Sequence, residues 1–156
     1  MDNLIIRKAN INDLEDVLEL SNGLTLADLP FDKKVDIKWA HTKKGKKYYT
    51  EKIKGISGVC FVVELDTKIV GYLTASEKQV PSYRLVRVAE IENIFVIEEY
   101  RSKGLGKKLV AEFINWAKQL KVDKVAVNVF ALNEKATVFY KREGFIPQDL
   151  TLEMYL

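Results

Sequence analysis

The chain has 156 residues, enough for one substantial core and too few for two enzymatic domains. Hydrophobic residues make up 47% and charged residues 30%, which excludes the core-poor, highly charged profile of a disordered chain. With 25 basic and 22 acidic residues the formal charge is +3, too close to balance to indicate nucleic-acid binding.

Cys60 is the only cysteine, so an intrachain disulfide and a cysteine-based zinc cluster are excluded, and a reducing cytoplasm fits. Met1-Asp2-Asn3-Leu4 lacks the basic flank and apolar core of a signal peptide, and no window approaches the roughly 18 apolar residues of a membrane span. The expectation is one soluble cytoplasmic domain over residues 1–156, without a membrane partner or a metal.

Leu4 to Ala9 reads as an opening strand. Asn10 then offers a helix cap, with Asp13 three residues on and apolar residues at Leu14, Val17, Leu18 and Leu20. From Asn22 to about Gly55 the pattern is mixed, with Pro30 as a break and four lysines around Gly45; loops and a second helix are expected. Val59–Leu65 and Lys68–Ala75 are β-branched and aromatic runs joined by Asp66-Thr67, a hairpin pattern. Val86 to Ile97 alternates, which would put Val88, Glu90, Glu92, Ile94 and Val96 on one strand face. Leu105, Leu109, Phe113, Trp116, Ala117 and Leu120 keep helical spacing. Lys124 to Ala131 is valine-rich and nearly all apolar, as in a strand buried on both faces and paired in parallel. Asn133 begins a last helix, Gly144 suits its C-terminal cap, and Leu150 to Tyr155 alternates like an edge strand.

The strongest chemical signal is the strand-to-helix junction carrying Arg101-Ser102-Lys103-Gly104-Leu105-Gly106. Glycines let backbone approach a ligand closely, and the unpaired amides of a first helical turn attract an anion. Arg101, Lys103 and Lys107 add mobile positive charge. The Walker A pattern fails because Lys108, not Ser or Thr, follows Gly106-Lys107. The dinucleotide fingerprint fails because Leu109 stands where its third glycine belongs.

This segment, preceded by Phe95-Val96, resembles the acetyl-CoA signature of the GNAT superfamily, Gln/Arg-x-x-Gly-x-Gly/Ala. Downstream, Asn133 to Phe145 is similar to the family's second signature, with Asn133, Ala136, Phe139-Tyr140 and Gly144-Phe145 at the expected intervals. Ser102 stands where many members carry glycine. The resemblance implies a mixed α/β domain whose central sheet of six or seven strands is mostly antiparallel, with helices on both faces. It implies that the Val86–Ile97 and Val125–Ala131 strands splay to admit acetyl-CoA. Ile94, Phe95 and Val96 would bind the pantetheine arm, the backbone from Arg101 through Ser102, Lys103, Gly104, Leu105 and Gly106 to Lys107 the pyrophosphate, and Asn133 and Ala136 would border the arm. A homodimer is an assembly that the resemblance also implies and that no motif here encodes.

The implied reaction is transfer of an acetyl group to a primary amine by direct attack in a ternary complex. An alkyl amine is neutral at pH 7 in only about one molecule in 2,500, a handicap of roughly 4.6 kcal/mol, so a proton acceptor is expected. Glu92 is favoured and Glu90 is the alternative; as strand charges, both could instead be solvated or paired with Arg84 or Arg87. The resemblance assigns Tyr140 to protonation of the departing thiolate, against a plain core-aromatic role. Asn128, where some relatives place a glutamate, cannot act as a base. Cys60 reads as packing, His41 has no spaced metal-ligating partners, and the Lys43–Lys47 cluster reads as a solvated helix start rather than a nucleic-acid contact. Asp28, Asp32 and Asp36 could attract a cationic amine. A non-catalytic acyl-CoA-binding regulatory domain is the rival reading.

Overall fold

The computed structural model describes residues 3–156. Five strands, β1 (Leu4–Lys8), β2 (Val59–Leu65), β3 (Lys68–Lys78), β4 (Val88–Val96) and β5 (Lys124–Val127), form one sheet in the order β1-β2-β3-β4-β5. The first three pairings are antiparallel and β4 pairs with β5 in parallel. The helices are α1 (Leu14–Asp28), α2 (Lys43–Ile53), α3 (Leu105–Gln119) and α4 (Glu134–Arg142). The hairpin between β2 and β3 turns on Asp66 and Thr67, both left-handed at φ 48° and 68°, the backbone twist that a two-residue connection needs.

Cys60, Val62, Ile69 and Tyr72 turn to one face of the sheet, where Val17, Leu18 and Leu20 of α1 and Tyr49 of α2 cover them. Phe61, Val63, Val70, Leu73, Ala89 and Ile91 turn to the other, under Leu105, Leu109, Phe113 and Ala117 of α3 and Tyr140 of α4. Each buried leucine or phenylalanine contributes about 1.5–3 kcal/mol, so two apolar layers of this size hold the sheet between its helices.

The entrance to α1 is fixed electrostatically. Asn10 accepts from the Asn12 amide, and Asp13 accepts from the Asn10 amide at 2.8 Å. Arg7 on β1 forks to both Asp13 oxygens at 2.7 and 2.9 Å and to Glu64 on β2. The Arg7 hydrogen bonds hold the Asp13 carboxyl below the ordinary aspartate range, although its burial acts the other way. A depressed carboxyl contributes stability above its unfolded pKa and loses it as pH falls through the folded value. Asp13→Asn is therefore expected to cost about 1–3 kcal/mol at neutral pH in urea unfolding. The gap to wild type should hold at pH 5 and narrow only below about pH 4.

Three expectations are corrected. The Val86–Ile97 strand is Val88–Val96, and its alternation is broken: Thr74 pairs with Asn93 but Ala75 with Ile91, so Glu92 is an extra residue in a β-bulge. Ala89 and Ile91 face α3 before the bulge, Ile94 and Val96 after it, and Phe95 turns to the α1 side. Glu92 therefore does not share one regular face with Val96. The Val125–Ala131 strand is only Lys124–Val127; Lys124 is exposed and Val125 to Val127 are half-buried rather than covered on both faces. Leu150 to Tyr155 forms no strand, since no neighbour pairs with it, and Leu150, Leu152, Met154 and Tyr155 lie exposed; the sheet has five strands, not six or seven.

Candidate active site

β4 and β5 pair only as far as Ile91 with Val127. Beyond that point β4 continues to Val96 while the chain after β5 leaves the sheet, so the strands part just where the bulge lies. The cleft that opens is lined by Asp28 of α1, Glu92 and Ile94 of β4, Asn128 and Phe130 beyond β5, and Tyr140 of α4. Phe31, after α1, stacks on Phe130 with ring centroids 5.7 Å apart.

Glu92 is the most heavily tied side chain in the cleft. Tyr48 donates to its Oε2 at 2.6 Å, Ser76 donates to its Oε1 at 2.8 Å, and the Lys52 ammonium lies 2.6 Å from Oε2. Burial works to raise its pKa, but the hydrogen bonds from Lys52, Tyr48 and Ser76 outweigh it, so the carboxyl sits below the ordinary glutamate value and is ionised at neutral pH. Glu90 is committed elsewhere, bonded to Lys78 at 2.7 Å and Asn128 at 3.2 Å, and it does not line the cleft. Arg87 pairs with Glu77, so it neutralises neither carboxylate.

Tyr140 is 6% exposed, and burial alone pushes its phenol above the ordinary tyrosine value. Its hydroxyl donates to no protein group among the described residues, and it faces the cleft from the side opposite α2. Cys60 is buried at 1% exposure and its thiol is pushed up to about 12, which removes the chain's one cysteine as a nucleophile near neutral pH.

At the mouth of the split, α3 begins at Leu105 with Gly104 as its cap residue in the left-handed conformation (φ 78°), and Ser102 is also left-handed (φ 59°). The backbone amides of Ser102 through Lys107 donate to no protein acceptor among the described residues, a row of donors that suits a pyrophosphate. Lys103 and Lys107 are exposed beside it, while the Leu105 side chain belongs to the core and leaves only its amide for a ligand. Arg101 is fixed rather than mobile: its Nε donates to the Val96 carbonyl at 2.7 Å and its guanidinium stacks 5.2 Å from the Phe95 ring. Asn133 caps α4 by accepting from the Ala136 amide at 3.1 Å, so its oxygen is used and its amide group remains. Asn133 and Ala136 both border the cleft. The open edge of β4, the row of amides and the adjacent lysines together fit an extended, phosphorylated thioester such as acetyl-CoA.

A sequence profile described as the acetyltransferase (GNAT) family matches residues 25–145, well over half of the chain. The chain belongs to the GNAT family. It is 33% identical over 140 residues to an uncharacterised N-acetyltransferase of Methanocaldococcus jannaschii, covering 90% of this chain and 59% of that relative, so it spans about three fifths of that protein's length. It is 24% identical over 148 residues to an N-alpha-acetyltransferase of Sulfurisphaera tokodaii, covering 90% and 78%. The fold matches the BH1408 protein from Bacillus halodurans at a TM-score of 0.82 and 22% identity, covering 97% and 99% of the two chains. It also matches AAC(6')-Iy, solved with a bisubstrate analogue of CoA and acetylneamine, at a TM-score of 0.78 and 19% identity over 99% of both chains.

Sequence reasoning missed Tyr48, Ser76 and Lys52. Their partner Glu92 lies 16 to 44 residues away, and the only local trace was an α2 face of Gly45, Tyr49 and Lys52 at helical spacing. The remaining isolated features carry less. His41 pairs with Glu19 at 3.3 Å, and Lys43, Lys44, Lys46 and Lys47 are exposed at the start of α2. Asp32 and Asp36 cap the Lys34 and Lys38 amides, so of the three aspartates only Asp28 borders the cleft. No helix among the described residues is long and apolar enough to cross a membrane.

Proposed function

We propose that the chain is an N-acetyltransferase that moves the acetyl group of acetyl-CoA to a primary amine by direct attack within a ternary complex. The observation that carries this reading is the placement of Glu92 and Tyr140 on two walls of one cleft that the row of unpaired amides adjoins. The carboxylates of Asp28 and Glu92 line the cleft and no lysine or arginine does, which favours entry of a cationic amine.

In this mechanism the ammonium loses its proton to a water held by Glu92, which stays ionised and passes the proton outward rather than storing it. The neutral nitrogen adds to the thioester carbonyl, and the nitrogen of the tetrahedral intermediate gives up its second proton through the same water. The C–S bond breaks as the intermediate collapses, and sulfur takes a proton from Tyr140, which regains one from solvent after the free thiol leaves. Tyr140 donates its hydrogen bond to that sulfur. Its raised pKa makes it a stabiliser of the developing thiolate that gives up its proton only as the bond breaks. A buried, protonated Cys60 leaves no thiol to carry an acetyl intermediate.

The test is a free-thiol release assay with acetyl-CoA against peptides with free α-amines, polyamines, aminoglycosides and amino acids. Transfer to at least one amine is expected, and Tyr140→Phe should lower kcat by about 10- to 100-fold at unchanged CoA affinity. CoA binding without transfer to any amine class would overturn this reading in favour of a non-catalytic acyl-CoA-binding domain.

A further inference from the structure

The mechanism so far leaves one buried cation unused. Lys52 of α2 is only 3% exposed, its Nζ donates to the Ser57 carbonyl at 2.8 Å, and it lies 2.6 Å from Glu92 Oε2. Its ammonium also lies 5.1 Å from the Tyr48 ring centroid, so Tyr48 touches both members of the pair.

A lysine is seldom fully buried, because removing its charge from water is costly unless a partner compensates. Replacing a buried ion pair by apolar residues of similar size is often neutral or stabilising, so anchoring α2 to the sheet does not by itself call for a charge. The same strand shows the contrast. Two residues earlier Glu90 is paired by Lys78, whose side chain is 39% exposed, so the charge that neutralises it remains in water. Only at the bulge is the cation drawn inside. Room is kept for it as well: at Gly58, a β-carbon would lie 3.1 Å from Lys52 Nζ and 2.1 Å from the Ala75 carbonyl oxygen.

We propose that Lys52 is a positioning residue that, with Tyr48 and Ser76, fixes Glu92 as an ionised carboxylate at the edge of the cleft. The inference rests on the reading that Glu92 acts on the acceptor amine. The bulge releases Glu92 from the regular pleat, which frees its direction, and the three donors then set that direction again.

The groups facing Glu92 define what a titration would report. From α2 these are Lys52, Tyr48 and Tyr49; from β3, the hydroxyl of Ser76, with Thr74 reached through Tyr48; from α1, Asp28 across the cleft. On β4 itself Asn93 donates to Tyr48, and Glu90 is occupied by Lys78. Lys52 is the one cation among them, so its removal takes away both a hydrogen bond and a charge that lower the Glu92 pKa and should raise it.

The test combines carbon-13 NMR titration of the Glu92 carboxyl, which needs no turnover, with the pH profile of kcat/KM for the amine found best. In wild type the carboxyl should titrate below the ordinary glutamate value. In Lys52→Met the midpoint should rise by about one pH unit or more, and the acid limb of the kcat/KM profile should move upward by the same amount. Lys52→Arg should return both toward wild type. Tyr48→Phe, which keeps the packing, should move the midpoint in the same direction by less, and Lys52→Gln serves if Lys52→Met does not fold. An unmoved Glu92 midpoint in folded Lys52→Met or Lys52→Gln overturns the role of Lys52. Full activity in Glu92→Gln overturns instead the reading of Glu92 on which this role rests, whatever the titration shows.

Discussion

Glu92→Gln is expected to lower kcat/KM by about 10²–10⁴-fold while leaving CoA affinity within about two-fold of wild type. Glutamine is close in size and still accepts from Ser76, so the bulge should persist. It cannot balance Lys52, and a 3%-exposed ammonium facing a neutral amide is destabilised. Unfolding stability should therefore drop as well, by up to about 3 kcal/mol, because one partner of a largely buried pair has been discharged. The control is Glu90→Gln. Glu90 is held by Lys78 and Asn128 away from the cleft, so its loss should change kcat/KM by less than about three-fold. Steady-state kinetics on both variants, with CoA affinity by calorimetry and folding checked by circular dichroism, separates the two glutamates that the sequence left as alternatives. Full activity in Glu92→Gln would remove Glu92 from the reaction, and a large loss confined to Glu90→Gln would transfer the role to Glu90.

The reason the sequence could not choose between them is physical. Strand alternation assigns faces only while the pleat is regular, and Ala89 to Val96 contains no glycine or proline to announce a bulge. A strict period of two therefore placed Glu90, Glu92 and Val96 together. Signals written within a few residues were legible: the Asp66-Thr67 hairpin, the Asn10 and Asn133 caps, and the apolar stripe of α3. The start of α3 after Gly104 was legible for the same reason, since a glycine-rich helix start is a local feature. What failed depended on distant partners. The valine-rich run after Lys124 looked like a strand covered on both sides, yet it pairs for only four residues before the chain leaves the sheet beside the β4 bulge. The alternation from Leu150 has the right pattern for an edge strand but no strand beside it to complete one.

Helix α2 carries the most consequential of these missed relations, and Gly45→Ala tests it. In sequence, Gly45 sits among four lysines and suggests a solvated, weakly helical start; alanine there would ordinarily stabilise a helix by up to about 1 kcal/mol. The packing reverses the sign. A β-carbon at Gly45 would stand 2.2 Å from the Trp39 carbonyl oxygen and 2.6 Å from that of Ala40, both backbone atoms that cannot swing aside. Relief requires α2 to move away from the Trp39–His41 turn, and overpacking of this kind typically costs about 1–3 kcal/mol. Because α2 also delivers Tyr48 and Lys52 to Glu92, the displacement should reach that carboxylate through those two side chains. Gly45→Ala is thus expected to lower the urea midpoint and to raise the Glu92 carboxyl midpoint toward that of Lys52→Met, although residue 45 touches neither group. A variant as stable as wild type would show that the close approach of α2 to the Trp39–His41 turn is not a constraint. A destabilised variant with an unmoved Glu92 would show that the clamp tolerates movement of the helix that supplies it.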